Sequence, residues 1–392
     1  MNNSKNKAIF LVVTVLFWFA LYTYVPVLSP FAESLGASHK LVGLIAGSYG
    51  FTQMVLRIPL GIVSDKLRKR KEFVILGVFF GATGCLGMYL LPYPIALLIF
   101  RSMAGVSAAA WVAYTVLFSG YYSEDEAPKA IGLLMSVATL AQSSGNFFGG
   151  TISQFYGIKT AFLLGAAGGL VGLALSFTVS KGRPVEREPL KLTELLRVMT
   201  EPGLMIASVL AILSQYITFS TIYGFTPIYA GNLGASNFQL GLLTTLSTLP
   251  SAVTSALSGP VFMKYLGEKK TIATGFFITL FTSISIPYTK SIPLLFITQI
   301  LGGFGRGMVF PMLMGLSIKN VEENKRATAM GFFQAVYSAG MFIGPLIVGF
   351  ISDMAGLAAG FWSIGLVSLT GAVLTLFLIN NRKKSKQENR VA

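Results

Sequence analysis

The sequence predicts an all-α membrane protein: twelve transmembrane helices in two parallel six-helix halves. Three observations carry this expectation. The 392 residues are 53% hydrophobic and only 11% charged, with a mean hydropathy of +0.69, whereas soluble domains carry about 25% charged residues. Apolar runs long enough to cross about 30 Å of hydrocarbon as a helix recur along the whole chain. The decapeptide LGASHKLVGL at 35–44 returns as LGASNFQLGL at 233–242, with six of ten positions identical.

The predicted spans lie near 8–29, 41–63, 73–91, 94–118, 130–152, 160–180, 203–230, 238–263, 271–288, 292–317, 328–351 and 356–380. Backbone groups in lipid must be satisfied internally, so segments of this length are helices. The first is too long for a signal-peptide core and no small-residue cleavage site follows it, which keeps it as structure. The second and eighth each follow a copy of the repeated decapeptide, where Gly36 and Gly234 can end one helix and Ser38 and Ser236 can cap the next. Cys85, the single cysteine, falls inside the third span. It permits no intramolecular disulfide or cysteine-built metal site and reads as a small core residue.

The repeat extends beyond the loop. Residues 61–71, GIVSDKLRKRK, correspond to 259–270, GPVFMKYLGEKK, at the ends of spans 2 and 8. PKAIGLLMSVATLAQSSGNFFGG at 128–150 corresponds to ATAMGFFQAVYSAGMFIGPLIVGF at 327–350, aligning Gly132, Gly145 and Gly150 with Gly331, Gly344 and Gly349. A six-helix unit duplicated head to tail inserts twice in the same orientation, because six is even. The halves are 1–180 and 203–392, the second ending in a short basic tail. Between them, KGRPVEREPLKLTELLRVMTEP at 181–202 reads as a cytoplasmic linker whose LKLTELLRVM stretch suits the membrane surface.

The formal net charge of +15 does not indicate nucleic acid. Its basic residues cluster in one set of loops, including Lys66–Lys71, 181–197 and the tail from Arg382, while the opposite loops hold Lys40, Lys159 and Lys290. Positive residues stay cytoplasmic, which places both termini on the cytoplasmic side of a cell membrane and lets the basic loops meet anionic lipid head groups.

These residues resemble the major facilitator superfamily over essentially the whole chain. The loop after span 2 is similar to the family's Gly-x-x-x-Asp-(Arg/Lys)-x-Gly-(Arg/Lys)-(Arg/Lys) signature through Gly61, Asp65, Lys66, Lys69 and Arg70, with Arg68 in place of the second glycine. Span 4 carries Arg101-x-x-x-Gly105-x-x-x-Ala109, similar to a second family motif. Spans 5 and 11 resemble the glycine motif linked with antiport: Gly132, Ala141, Gly145, Asn146 and Gly150 in a degraded copy, Gly331, Gly340, Gly344, Pro345 and Gly349 in a fuller one. The resemblance implies alternating access, with spans 5 and 11 lining the seam between the halves and Asp65 latching their cytoplasmic ends. Met263 stands at the equivalent of Asp65, so the latch is one-sided. Small residues every four positions also permit ordinary close helix packing.

Ionisable residues at membrane depth are functional suspects by default. Arg57, Arg101 and Arg306 lie within spans 2, 4 and 10, and no aspartate or glutamate does; Glu33 and Asp353 sit at or beyond the outer ends of spans 1 and 11. These two carboxylates, with Arg101 near enough to tune one of them, are the candidates for proton coupling. Candidate substrate-binding residues are Arg57, Arg306, Tyr22, Tyr49, Gln53, Trp111, Tyr114, Gln142, Asn146, Tyr216, Tyr223, Gln299, Gln334 and Tyr337. Buried amides need partners and so face one another or water. His39 reads as a loop residue.

No G-x-x-x-x-G-K-(S/T) run occurs, which argues against ATP as energy source, and no nucleophile–base or metal constellation falls within the spans. The expected protein is a monomeric secondary transporter rather than an enzyme, needing no cofactor or metal. Its leading activity is proton-coupled export of amphipathic organic compounds or metabolites. The alternative is uniport, exchange or symport of a small organic anion held by the intramembrane arginines.

Overall fold

The computed structural model describes residues 3–67, 69–123, 126–181, 198–322 and 325–379. Residues 190–197 of the predicted surface segment of the linker, Arg68 and the basic tail lie outside them. The described residues form helices and no strands. In chain order these are α1 (Ser4–Ser34), α2 (His39–Leu67), α3 (Arg70–Leu90), α4 (Pro94–Ser119), α5 (Ala127–Tyr156), α6 (Lys159–Ser176), α7 (Pro202–Asn232), α8 (Asn237–Met263), α9 (Gly267–Tyr288) and α10 (Ile292–Ile318). The remaining stretch, Arg326–Leu378, breaks at Gly356, whose φ of +84° only glycine adopts readily. It supplies α11 (326–355) and α12 (357–378).

Among the described residues, ten helical stretches are long and apolar enough to cross a membrane. The 30-residue α5 and the division at Gly356 account for the difference from twelve. Large apolar side chains face outward around the bundle: Phe281, Leu366 and Phe377 are all more than half exposed. Only a hydrocarbon surround stabilises such a surface.

Both decapeptide copies form the predicted joints. Gly36 and Gly234 take φ of +86° and +84°, closing α1 and α7. Ser236 caps α8 in a full capping box with Gln239, whereas at α2 the Ser38 hydroxyl accepts from the Leu41 amide at 3.3 Å. Several helices bend near their middles. In α1 regular helix lapses between Tyr22 and Val25, just ahead of Pro26, in α4 at Ala110, and in α7 over a π-turn at Thr221–Phe225. Such breaks release backbone groups at membrane depth and mark the middle of the bundle.

We call the end bearing the two decapeptide loops the distal face and the end bearing the chain termini the terminal face. The first six helices pack mainly on one another, as do the last six; α2 crosses to α11 and α5 to α8. These two crossings form the seam.

Candidate functional site

The seam is closed at one end and open at the other. Along α2, a Cβ on Gly43 would sit 2.1 Å from the Pro345 carbonyl oxygen, one on Gly47 2.7 Å from that of Phe342, and one on Gly50 2.4 Å from Met341 Cβ. A Cβ on Gly349 would sit 2.3 Å from the His39 carbonyl oxygen. The second crossing is as tight: a Cβ on Gly150 would lie 2.5 Å from Gly241 Cα. Only glycine allows backbones this near. Towards the terminal face the contact ends. Gly132, Gly259 and Gly331 have nothing within 4 Å of where a Cβ would sit, and Gly61 has only Val112 Cγ1 at 3.8 Å.

This pattern reassigns the motif glycines. Gly145 packs on α1, with the Phe19 carbonyl 2.9 Å from its would-be Cβ, and Gly340 and Gly344 pack on α7 at Ile212 and Tyr216. These positions draw helices together inside each half. The distal seam is instead made by Gly43, Gly47, Gly50, Gly150, Gly241 and Gly349, with the Pro345 carbonyl. Of the loop signature, Lys66 and Lys69 are exposed near the end of α2 and Arg70 begins α3. The side chain of Asp65 lies outside the described residues.

Charged groups reach across the seam both at the distal face and deeper in the bundle. At the distal face the Asp353 carboxylate accepts the backbone N–H groups of His39 at 2.8 Å and Lys40 at 2.9 Å. It therefore caps the N-terminus of α2 from the opposite half, where the helix dipole favours negative charge. His39 lies between Asp353, at 3.2 Å from Nδ1, and Glu33, at 3.3 Å from Nε2. The sequence reading of His39 as a plain loop residue missed this; its partners stand six and 314 positions away.

Deeper along α2, the Arg57 guanidinium donates across the seam to the Tyr337 hydroxyl at 3.2 Å and, more weakly, to the Ala108 carbonyl of its own half at 3.5 Å. Gln53, nearby on α2, reaches Met341 only at 4.0 Å. Of the two kinds of partner the sequence allows Arg101, Glu33 or a polar side chain, the structure has the second. Arg101 donates to the Tyr24 hydroxyl at 2.8 Å and lies 4.4 Å from the Tyr49 ring centroid. A phenol and a ring face suit a planar guanidinium without neutralising it. Among the described residues, Arg306 is held by one long hydrogen bond, to the Ser247 carbonyl at 3.5 Å. Gly302, one turn earlier, makes room for it: a Cβ there would lie 3.0 Å from Arg306 Nη1. All three arginines are buried, and the Nε of each has no hydrogen-bond partner.

Aromatic side chains surround these cations. Tyr22 meets Tyr223 edge-on across the seam with centroids 5.9 Å apart, and Tyr49 stacks on Phe219 at 5.9 Å. In the first half Trp18 packs against Trp111 at 5.0 Å, and Trp111 against Tyr114 at 5.5 Å. The Trp18 indole nitrogen, the Tyr114 hydroxyl and both amide atoms of Asn146 are buried without partners. Unpaired buried polar atoms call for water or ligand. Tyr24 is among the aromatics the sequence offers for a cavity; Trp18 belongs with them and was missed, since an aromatic in an apolar run carries no local sign of what it faces. Gln299 accepts from Ser247 at 3.1 Å and so has a partner of its own. Tyr216 is buried against Gly340 and Gly344, and Gln142 and Gln334 are half-buried.

Comparison with known proteins matches this geometry to a family. The chain is 25% identical over 348 residues to an uncharacterized MFS-type transporter of Methanocaldococcus jannaschii, covering 85% of this chain and 87% of that one. It is 26% identical over 159 residues to the quinolone resistance protein NorA of Staphylococcus aureus, covering 41% of this chain and 40% of NorA. Among solved structures, a bacterial homolog of the human lysosomal transporter Spinster, inward-facing and unoccupied, superposes with a TM-score of 0.81 at 15% identity, covering 96% of each chain. The human organic anion transporter MFSD10 does so with a TM-score of 0.69 at 18% identity, covering 96% of this chain and all of that one. The Major Facilitator Superfamily profile matches residues 10–229 and 204–392, and this chain is therefore a membrane transporter of that superfamily.

Proposed function

We propose that this protein exports amphipathic organic compounds by alternating access, and that those bearing an anionic group bind best. The observation that carries the proposal is the set of three buried guanidiniums, Arg57, Arg101 and Arg306, each with an unpartnered Nε, in a chain with no acidic residue at that depth. A buried charge without a counter-charge costs several kcal/mol unless something compensates it, and an anionic ligand would do so. The aromatic residues about Trp18, Trp111 and Tyr114 would take the apolar part of the same molecule.

The positive-inside rule places the terminal face in the cytoplasm. The described conformation is then open inward, the state in which an exporter loads. The name of MFSD10, an organic anion transporter, accords with anionic cargo, and that of NorA, a quinolone resistance protein, with an organic compound. A second reading, proton-coupled export of neutral or cationic amphiphiles, draws on the unpaired Trp18 and Tyr114 polar atoms, which could serve an uncharged ligand equally well.

Proteoliposomes test the choice. Purified protein is assayed with matched aromatic carboxylates, neutral amides and amines, with and without an imposed pH gradient. The proposal expects carboxylates to move fastest and to lose most of their rate in Arg306→Gln. Amines moving fastest, at the same rate in that variant, would favour the second reading.

A further inference from the structure

We propose that Glu33, His39 and Asp353 form a clasp on the outer face that closes more firmly as the outside becomes mildly acidic. The proposal rests on the alternating-access reading and adds a control to it. Closing the seam brings Asp353 of α11 onto two amides of α2, at 2.8 and 2.9 Å. It also seats the His39 imidazole between two carboxylates, at 3.3 and 3.2 Å. The Asp353 contacts exist only when the halves meet.

A neutral imidazole has one N–H and can donate to one carboxylate; the imidazolium has two and can donate to both. The arrangement therefore matches the protonated ring. Closure takes up a proton, and by linkage a falling pH favours the closed state through the range in which histidine titrates, about pH 6 to 8. The ionisable groups facing the ring are Glu33, from the end of α1, and Asp353, from α11. Lys40 is adjacent in sequence, with its ammonium 6.0 Å from the Phe350 ring centroid, and the neighbouring ring from α7 is Phe225, which does not ionise.

The side chains of Glu33, His39 and Asp353 are 33%, 25% and 30% exposed. The imidazole can thus exchange its proton with the outer solution, sensing that pH without carrying charge across. The duplicated half makes an internal control. At the other crossing His39 is replaced by Asn237, whose side-chain amide donates to the Ser153 carbonyl at 3.1 Å. That contact is neutral at every physiological pH.

The test uses the full chain in nanodiscs with Cys85→Ala, Lys159→Cys and Lys290→Cys. Spin labels on the two cysteines report the outer distance between halves, with no substrate needed. Between about pH 8 and about pH 6 the wild-type background should shift toward the short distance by about threefold in population, a change on the scale of exposed ion pairs. His39→Asn, which copies the second seam, should abolish that shift while keeping both distances. Asp353→Asn should favour the long distance at both values. A pH shift of equal size in His39→Asn would overturn the clasp, as would an Asp353→Asn population unchanged from wild type. A single distance in every variant at every pH would instead defeat alternating access itself, so the two failures are distinguishable.

Discussion

The two ends of one helix, α5, differ more than its sequence suggests. At the distal end Gly150 lies so close to Gly241 that no side chain could stand there; eighteen residues away, Gly132 faces open space. The duplicate, α11, repeats the contrast with Gly349 against the His39 backbone and Gly331 free. Both glycines of each helix recur in the other half, which is the behaviour expected if both positions pack in turn. The closed distal end is the state described; under the proposed alternating access, the open terminal end is its counterpart. A rigid bundle would need small residues only where helices already touch.

Substitutions at the two ends should therefore separate stability from turnover. The largest effect is expected from Gly43→Ala, which places a Cβ 2.1 Å from a backbone oxygen that no rotamer change can move. Overpacking of this kind costs about 1–3 kcal/mol, and either a lower melting temperature or a distal-open population should follow, with transport down at least about tenfold. Gly132→Ala should remain within about twofold of wild type, since alanine favours the helix by about 1 kcal/mol. The comparison sharpens with Gly132→Leu and Gly331→Leu. If the terminal end closes during transport, these should fold normally, bind substrate and turn over slowly. Normal turnover would mean that this end never closes.

The next effect concerns Arg306, the buried arginine whose best hydrogen bond is the longest of the three. Arg306→Lys keeps the charge but loses the planar fork, and Arg306→Gln loses both. Substrate-induced thermal stabilisation by an aromatic carboxylate should persist weakly in the first and nearly vanish in the second, with folded protein recovered from both. Equal loss in the two would transfer recognition from charge to shape. A smaller effect, a fall in turnover of severalfold at unchanged affinity, is expected for Asp65→Asn if the terminal end is latched there; a normal rate would remove Asp65 from the closing mechanism.

Much of this was legible in the chain. The repeated decapeptide gave two halves, alternating glycines gave close packing, and the absence of intramembrane carboxylates left three conspicuous cations. The conformational state was not legible, because Gly132 and Gly150 are the same residue in the same kind of helix. For Arg101 the sequence left Glu33 and polar side chains open, and only the packing of α1 and α2 selects the Tyr24 phenol and the Tyr49 ring face. His39 stayed hidden because half of its environment is supplied by Asp353, in the other half of the molecule. Local periodicity reports which face of a helix is apolar, but not which distant element covers it.

The central claim is that one seam opens at alternate ends. It is tested most directly by measuring both ends in the same sample. In a Cys85→Ala background, spin-label pairs at Lys159 and Lys290 report the distal end, and pairs at Lys66 and Lys264 the terminal end. The account predicts reciprocal distributions: as Gly43→Ala lengthens the distal distance, the terminal distance shortens, and Gly132→Leu reverses both. Terminal distances that stay fixed while the distal ones lengthen would contradict it.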